Sequence, residues 1–253
     1  VIQDLPTQLH VEHVMGTAVT FDVRGSRPAG DAVAAAVAWL HGVDARFSTY
    51  RPDSAVCRLE RGELSTGDAG PDLRWIIDEC ARLRRETGGF FSAFATGRFD
   101  PSGLVKGWAV QRAADRLSAA GIDCFCITAG GDVVARGRPE PERHWRIGIR
   151  HPDDAHAVAA VVESEGDVAV ATSGTYERGA HIVDPTSGRA PRGVSSVTVC
   201  GPDLGRADSY ATAAFAMGRD GPAWTLGLED YESLTILEDE TVLTTPGFPA
   251  LAA

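Results

Sequence analysis

In Ala171–Gly188 and Arg206–Thr212 the chain gathers hydroxyls and glycines with Arg178, His181, Asp184 and Asp208, the groups that hold a phosphate and a hard metal ion. Asp208 and Thr212 are four residues apart, so on a helix their oxygens stand one above the other on one face. Mg²⁺ takes a few protein oxygens and completes its shell with water and phosphate oxygens. An Asp in the first turn of a helix, with a solvated Thr, explains the same pair without a metal. Thr172-Ser173-Gly174 follows an apolar run and lets a phosphate approach closely, with Arg178 to neutralise it. A polar turn is the plainer account. His181 can accept a proton near neutral pH, although a His on a short strand is more often structural. Asp184-Pro-Thr-Ser-Gly188 reads as a tight turn, since Asp bonds its own backbone and Gly takes positive φ.

A second group opens at Asp100-Pro-Ser-Gly-Leu-Val-Lys106-Gly107. Lys106 near a helix start opposes the helix dipole, which calls for a nearby anion. Gly107 inside the helix costs about 1 kcal/mol relative to Ala, which calls for a close neighbour. Ser102 and Lys106 are four apart, so a Ser-x-x-Lys nucleophile does not form, and no G-x-S-x-G elbow occurs. Neither nucleotide-loop fingerprint is present.

The elements that must position these groups follow from hydrophobic period. Val19, Phe21 and Val23 alternate as a strand, and Val33, Ala36, Val37 and Leu40 mark a helix after Pro28 and Asp31. Pro71 and Asp72 open a second helix, with Leu73, Ile76, Ile77 and Cys80 on one face. A third carries Val105, Trp108, Ala109 and Leu117, and ends at Gly121. Strands are predicted at Ile122–Ala129, Val133–Ala135, around Trp145–Ile149, and at Val158–Val162, Val168–Ala171, His181–Val183 and Val197–Val199. Ala207–Met217 reads as a helix, with Asp208 in its first turn, and Leu234–Leu237 with Val242–Thr244 as a hairpin. Hairpins outnumber strand–helix–strand units, which predicts an α+β fold with antiparallel sheets and helices packed on their outer faces.

The chain has 253 residues, enough for one substantial core, and one domain over residues 1–253 is expected. Its net charge of −11 repels nucleic acid and anionic lipid, so neither is expected as a partner. The longest apolar run, Ala32 to Leu40, is too short to span a bilayer. No signal peptide or lipid-attachment Cys is visible, so the cytoplasm is the expected compartment, although the chain begins with Val. The five Cys lack zinc-site spacing and read as reduced thiols.

Together these motifs resemble the FAD:protein FMN transferases, the ApbE family. The matching pieces are Met15-Gly-Thr17, Phe47-Ser-Thr-Tyr50 with Ser54, Thr87-Gly-Gly-Phe-Phe91, Asp100 to Ala109, Ala129-Gly-Gly-Asp132, Trp145-Arg-Ile-Gly-Ile-Arg150, Ala171–Gly174, His181–Gly188, and Ala207-Asp208 with Ala211-Thr212. They occur in the family's order from Met15 onward. The resemblance implies two structural halves with a cofactor cleft between them, and FAD in that cleft. It implies FAD contacts at Met15, Tyr50, Phe90, Phe91, Ser92, Asp100, Lys106 and Val183, and Mg²⁺ ligands at Asp208, Thr212 and the Gly103 carbonyl. It implies transfer of FMN from FAD to a Thr or Ser hydroxyl of a target protein, with release of AMP. His181 is the candidate general base and Asp184 the reserve. Ser92 stands where the family often has Asp, Ala211 where an acidic residue is common, and the stretch from Ser92 to Asp100 is short. A Mg²⁺-dependent FAD pyrophosphatase and a non-enzymatic FAD-binding protein are the alternatives.

Overall fold

The computed structural model describes residues 6–140, 142–164, 166–175 and 182–250. The chain opens with a hairpin of β1 (Thr7–Val14) and β2 (Thr17–Arg24), then helices α1 (Gly30–Phe47), α2 (Ala55–Glu60), α3 (Pro71–Glu86) and α4 (Ser102–Ala119). Strands β3 (Phe125–Ala129), β4 (Asp132–Arg136), β5 (Trp145–Arg150), β6 (Val158–Ser164), β7 (Val168–Gly174) and β8 (Ser196–Gly201) follow. Helix α5 (Leu204–Ala216), a short 3-10 turn, α6 (Gly221–Thr225), β9 (Glu232–Ile236) and β10 (Val242–Thr244) complete it.

Eight strands form one antiparallel sheet in the order β1-β2-β3-β4-β7-β8-β9-β10, and β5 with β6 forms a second. Side-chain alternation divides the large sheet's central strands between two cores. Phe21, Ile127, Val134, Ala171 and Val199 face the helices, whereas Val133, Val170 and Ile236 face the β5–β6 sheet with Ile147 and Ile149. Strand β7 is therefore buried along its whole length, which is why Val168 to Ala171 is a continuous apolar run. Full burial of side chains such as Phe21 and Ile127 contributes about 1.5–3 kcal/mol each relative to exposure.

The α+β expectation holds, with the helices of the larger core on one face of the large sheet and the small sheet on the other. Helix α3 is built as its sequence suggests. Pro71 sits at its start, where its fixed φ suits the first helical position, with Asp72 in the first turn and Arg84 and Arg85 in the last, each favourable to the dipole. Three local expectations are corrected. Helix α5 begins at Leu204, capped by Asp203, whose side chain accepts from the Arg206 amide at 2.9 Å. Asp208 thus lies in the second turn, and is buried. Strand β7 continues through Thr172, Ser173 and Gly174, paired with β8, so these residues are not a turn. Ile182 and Val183 lie outside any strand. Strand β1 escaped the period test because it is an edge strand whose Leu9 and Val11 are exposed.

Candidate active site

A cleft of about 510 Å³ opens where the β1–β2 turn, the end of α1, the α3–α4 connection, the end of β7 and the face of α5 meet. Met15, Tyr50, Phe90, Phe91, Ser92, Asp100, Gly103, Lys106, Thr172, Ser173, Gly174, Val183, Asp208 and Thr212 all line it. Arg178 and His181 lie outside the described residues. Asp184 is described and does not line the cleft.

Each side chain is placed by local chemistry. Val14 pairs with Thr17, so Met15 and Gly16 form a two-residue hairpin loop with φ of 55° and 73°. Positive φ is costly for Met, and such strain tends to collect at functional sites. Thr87 ends α3, its Oγ1 donating to the Leu83 carbonyl at 2.8 Å and accepting from the Phe91 amide at 2.9 Å. That bridge brings Phe90 and Phe91 into the cleft. Tyr50 is 92% exposed at the cleft wall, where a flat ligand could cover its ring. Asp100 accepts from the Ser102 amide at 3.0 Å and so starts α4.

The polar end of the cleft sits between α4 and α5. A Cβ on Gly107 would lie 2.6 Å from the Leu204 carbonyl oxygen and 3.0 Å from Asp208 Cβ, so only Gly lets the helices approach this closely. Gly107 thus has the close neighbour its position called for. Lys106 has its anions as well. Its ammonium pairs with Asp132, which is fully buried, and lies 3.7 Å from Asp208 Oδ2. Asp132 also accepts from the Thr172 amide at 3.3 Å. The Ser173 and Thr212 hydroxyls are 3.4 Å apart. A Cβ on Gly103 would be 3.8 Å from Thr212 Oγ1, so this glycine's backbone stands next to that hydroxyl.

Asp208 and Thr212, with Ser173 and the Gly103 backbone beside Thr212, bring hard oxygens to the junction of two helices. They suit a small divalent cation that keeps water and takes phosphate oxygens. No group of three or more His, Cys, Asp or Glu suited to a metal occurs among the described residues, so protein carboxylates alone would not complete the shell. Asp132 carried no role in the sequence reading, although its Gly-Gly-Asp motif was noted. The signal is Lys106, a cation whose place near the helix start calls for a nearby anion. Asp184 is occupied by its own turn. It accepts from the Thr186 amide and hydroxyl and from the Ser187 hydroxyl at 2.7–2.8 Å, and these hydroxyls hold its carboxyl below the usual carboxylate range.

A family model described as the ApbE family matches residues 15–96 and 94–234. The chain belongs to the ApbE family. A Vibrio cholerae protein named FAD:protein FMN transferase is 37% identical over 131 residues, 48% of this chain and 39% of that protein. Proteins of the same name from Rhodobacter capsulatus and Treponema pallidum are 34% and 30% identical, over 60% and 59% of this chain and 33% and 46% of their own lengths. The matched region thus spans less than half of each of these curated relatives. Two solved structures share the fold. The flavin transferase ApbE of Vibrio cholerae has a TM-score of 0.86 at 24% identity, covering 98% of this chain and all of that one. The ApbE protein of Thermotoga maritima has a TM-score of 0.84 at 21% identity, covering 95% of this chain and 97% of that one. For this ApbE-family chain no described helix is long and apolar enough to cross a membrane.

Proposed function

We propose that this chain is a Mg²⁺-dependent transferase that moves FMN from FAD to a Thr or Ser hydroxyl of a target protein and releases AMP. The observation that carries this is one cleft lined by aromatic side chains, the exposed Tyr50, the partly buried Phe90 and the buried Phe91, and also by a hard-oxygen cluster at Asp208, Thr212 and Ser173 beside Lys106. A dinucleotide with a flat ring system and a pyrophosphate asks for both. The cavity volume falls within the usual range for such ligands. The names of the relatives fit the same chemistry.

Phosphoryl transfer depends mainly on positioning and on neutralising charge. Met15, Tyr50, Phe90 and Phe91 would hold the ring systems, with Ser92, Asp100 and Val183 fixing polar edges. Lys106, Thr172, Ser173, Gly174 and Arg178 would receive the pyrophosphate. Asp208, Thr212 and the Gly103 carbonyl would hold Mg²⁺, which when bound neutralises the pyrophosphate and stabilises the leaving phosphate. The acceptor oxygen forms a bond to the FMN phosphorus as the bond to the AMP oxygen breaks. The acceptor's proton passes to His181. Asp184 is the weaker base, because its lone pairs are committed to Thr186 and Ser187.

Calorimetry with FAD and riboflavin tests the pyrophosphate-centred assignment. FAD is expected to bind at least tenfold tighter, about 1.4 kcal/mol, with the difference reduced in Asp208→Asn. Equal affinity for the two ligands would overturn it.

A further inference from the structure

A second cavity, of about 570 Å³, is lined by Ile147, Gly148, Ile149 and Arg150 of β5. Consecutive strand residues point to opposite faces. A cavity that meets four in a row therefore borders the strand along its backbone edge. Among the described residues β5 has one ladder partner, β6. The far edge of β6 is covered, since Ala250 bridges to Val162 and the Glu163 amide donates to the Pro249 carbonyl at 3.1 Å. Among the described residues, the other edge, that of β5, is the one the cavity borders.

This cavity adjoins the cleft, since Gly16, Lys106 and Thr172 line both. It reaches the cleft at the cation expected to meet the pyrophosphate, and its glycine-lined hairpin turns leave room for a main chain. An extended segment adds readily to an open strand edge through backbone hydrogen bonds. At about 3.3 Å per residue, Ile147 to Arg150 would pair with only a few residues of it.

We infer that this edge of β5 takes an extended, Thr- or Ser-bearing segment of the acceptor protein as an added strand and leads its hydroxyl along the second cavity to the phosphate end of the cleft. This rests on the transferase reading. The bond that forms is from the acceptor oxygen to the FMN phosphorus, the bond that breaks is to AMP, and the proton leaves to the general base.

The test uses the full chain with FAD, Mg²⁺ and short synthetic peptides having a central Thr and randomised flanks, read by mass spectrometry for added FMN. The best peptide, made unreactive by Thr→Val, is then added during hydrogen exchange. Amides of residues 145–150 are expected to exchange at least tenfold more slowly. Alternate N-methylation of the reactive peptide should raise the peptide KM about tenfold while FAD affinity is unchanged. Peptides that are flavinylated without protecting β5 overturn the docking edge and leave the transferase reading standing. If no peptide is flavinylated, an extended segment is not the acceptor and the inference falls. AMP release from FAD then judges the cleft chemistry separately. Protection of β5 that grows with protein concentration in the absence of peptide would assign the edge to a second copy of the chain and overturn the proposal.

Discussion

Gly107 lies so close to Leu204 that a Cβ on the glycine would be 2.6 Å from the Leu204 carbonyl oxygen. This contact sets the spacing of α4 and α5, and with it the distance from Lys106 to Asp208. Gly107→Ala is expected to destabilise the protein by about 1–3 kcal/mol, the usual cost of overpacking, and to weaken Mg²⁺-dependent turnover. Thermal unfolding with a turnover assay checks this, and an unchanged melting temperature would contradict it.

Lys106 and Asp132 form a pair in which the carboxylate is fully buried. Lys106→Met removes the ammonium beside that charge and should cost about 3–5 kcal/mol. Adding Asp132→Asn should recover a large part, because the buried charge is then gone as well. Urea unfolding of both variants decides it. Equal stability of the single and double variants would show that the charge, not the pair, matters little here.

Much of this arrangement was legible beforehand. The strained local choices at Lys106 and Gly107 demanded an anion and a close neighbour, and Asp132 and Leu204 supply them. The four long helices and the β3–β4 and β9–β10 hairpins followed from apolar period, whereas the short α2 and α6 carried no such signal; the ordered motifs from Met15 to Thr212 named residues most of which line one cleft. What was missed has physical reasons. The polar residues Thr172 to Gly174 looked like a turn because a strand buried on both faces rarely ends in hydroxyls. Helix α5 starts earlier than expected because its first residues are a Leu and a Gly behind an Asp cap, a short signal beside the later alanine run. Strand β1 presents apolar side chains outward, which defeats an inside–outside test. The second cavity is lined partly by the backbone of β5, which no side-chain pattern reveals.

Asp208 is buried against α4 and is the only carboxylate in the oxygen set with Thr212 and the Gly103 carbonyl. Asp208→Asn keeps the volume and removes the charge. It should abolish Mg²⁺-dependent turnover and weaken Mn²⁺ binding in the presence of FAD, seen by paramagnetic resonance, with circular dichroism unchanged. Normal Mn²⁺ binding in the folded variant would contradict the assignment of the metal to this helix face.

Asp184 and His181 separate by pH. The carboxyl of Asp184 is held below the usual carboxylate range by Ser187 and Thr186. Its contribution to the turn is therefore complete above its unfolded value and is lost only as pH falls through the depressed folded value. It does not titrate near neutrality. A general base at His181 should give a transfer rate that rises through the imidazole range, about pH 6.5. His181→Ala should lower the single-turnover rate by about 10²–10⁴ and remove that limb. A limb below about pH 4, retained in His181→Ala, would shift the role to Asp184.

The most direct measurement is a mass balance on the transfer itself. The chain is incubated with FAD, Mg²⁺ and a flavin-accepting protein, and both products are counted. The acceptor should gain one FMN on a Thr or Ser for each AMP released, and omission of Mg²⁺ should stop both. AMP with free FMN and an unmodified acceptor would make the chain a pyrophosphatase, and FAD bound but intact in the presence of Mg²⁺ would contradict catalysis at this site altogether.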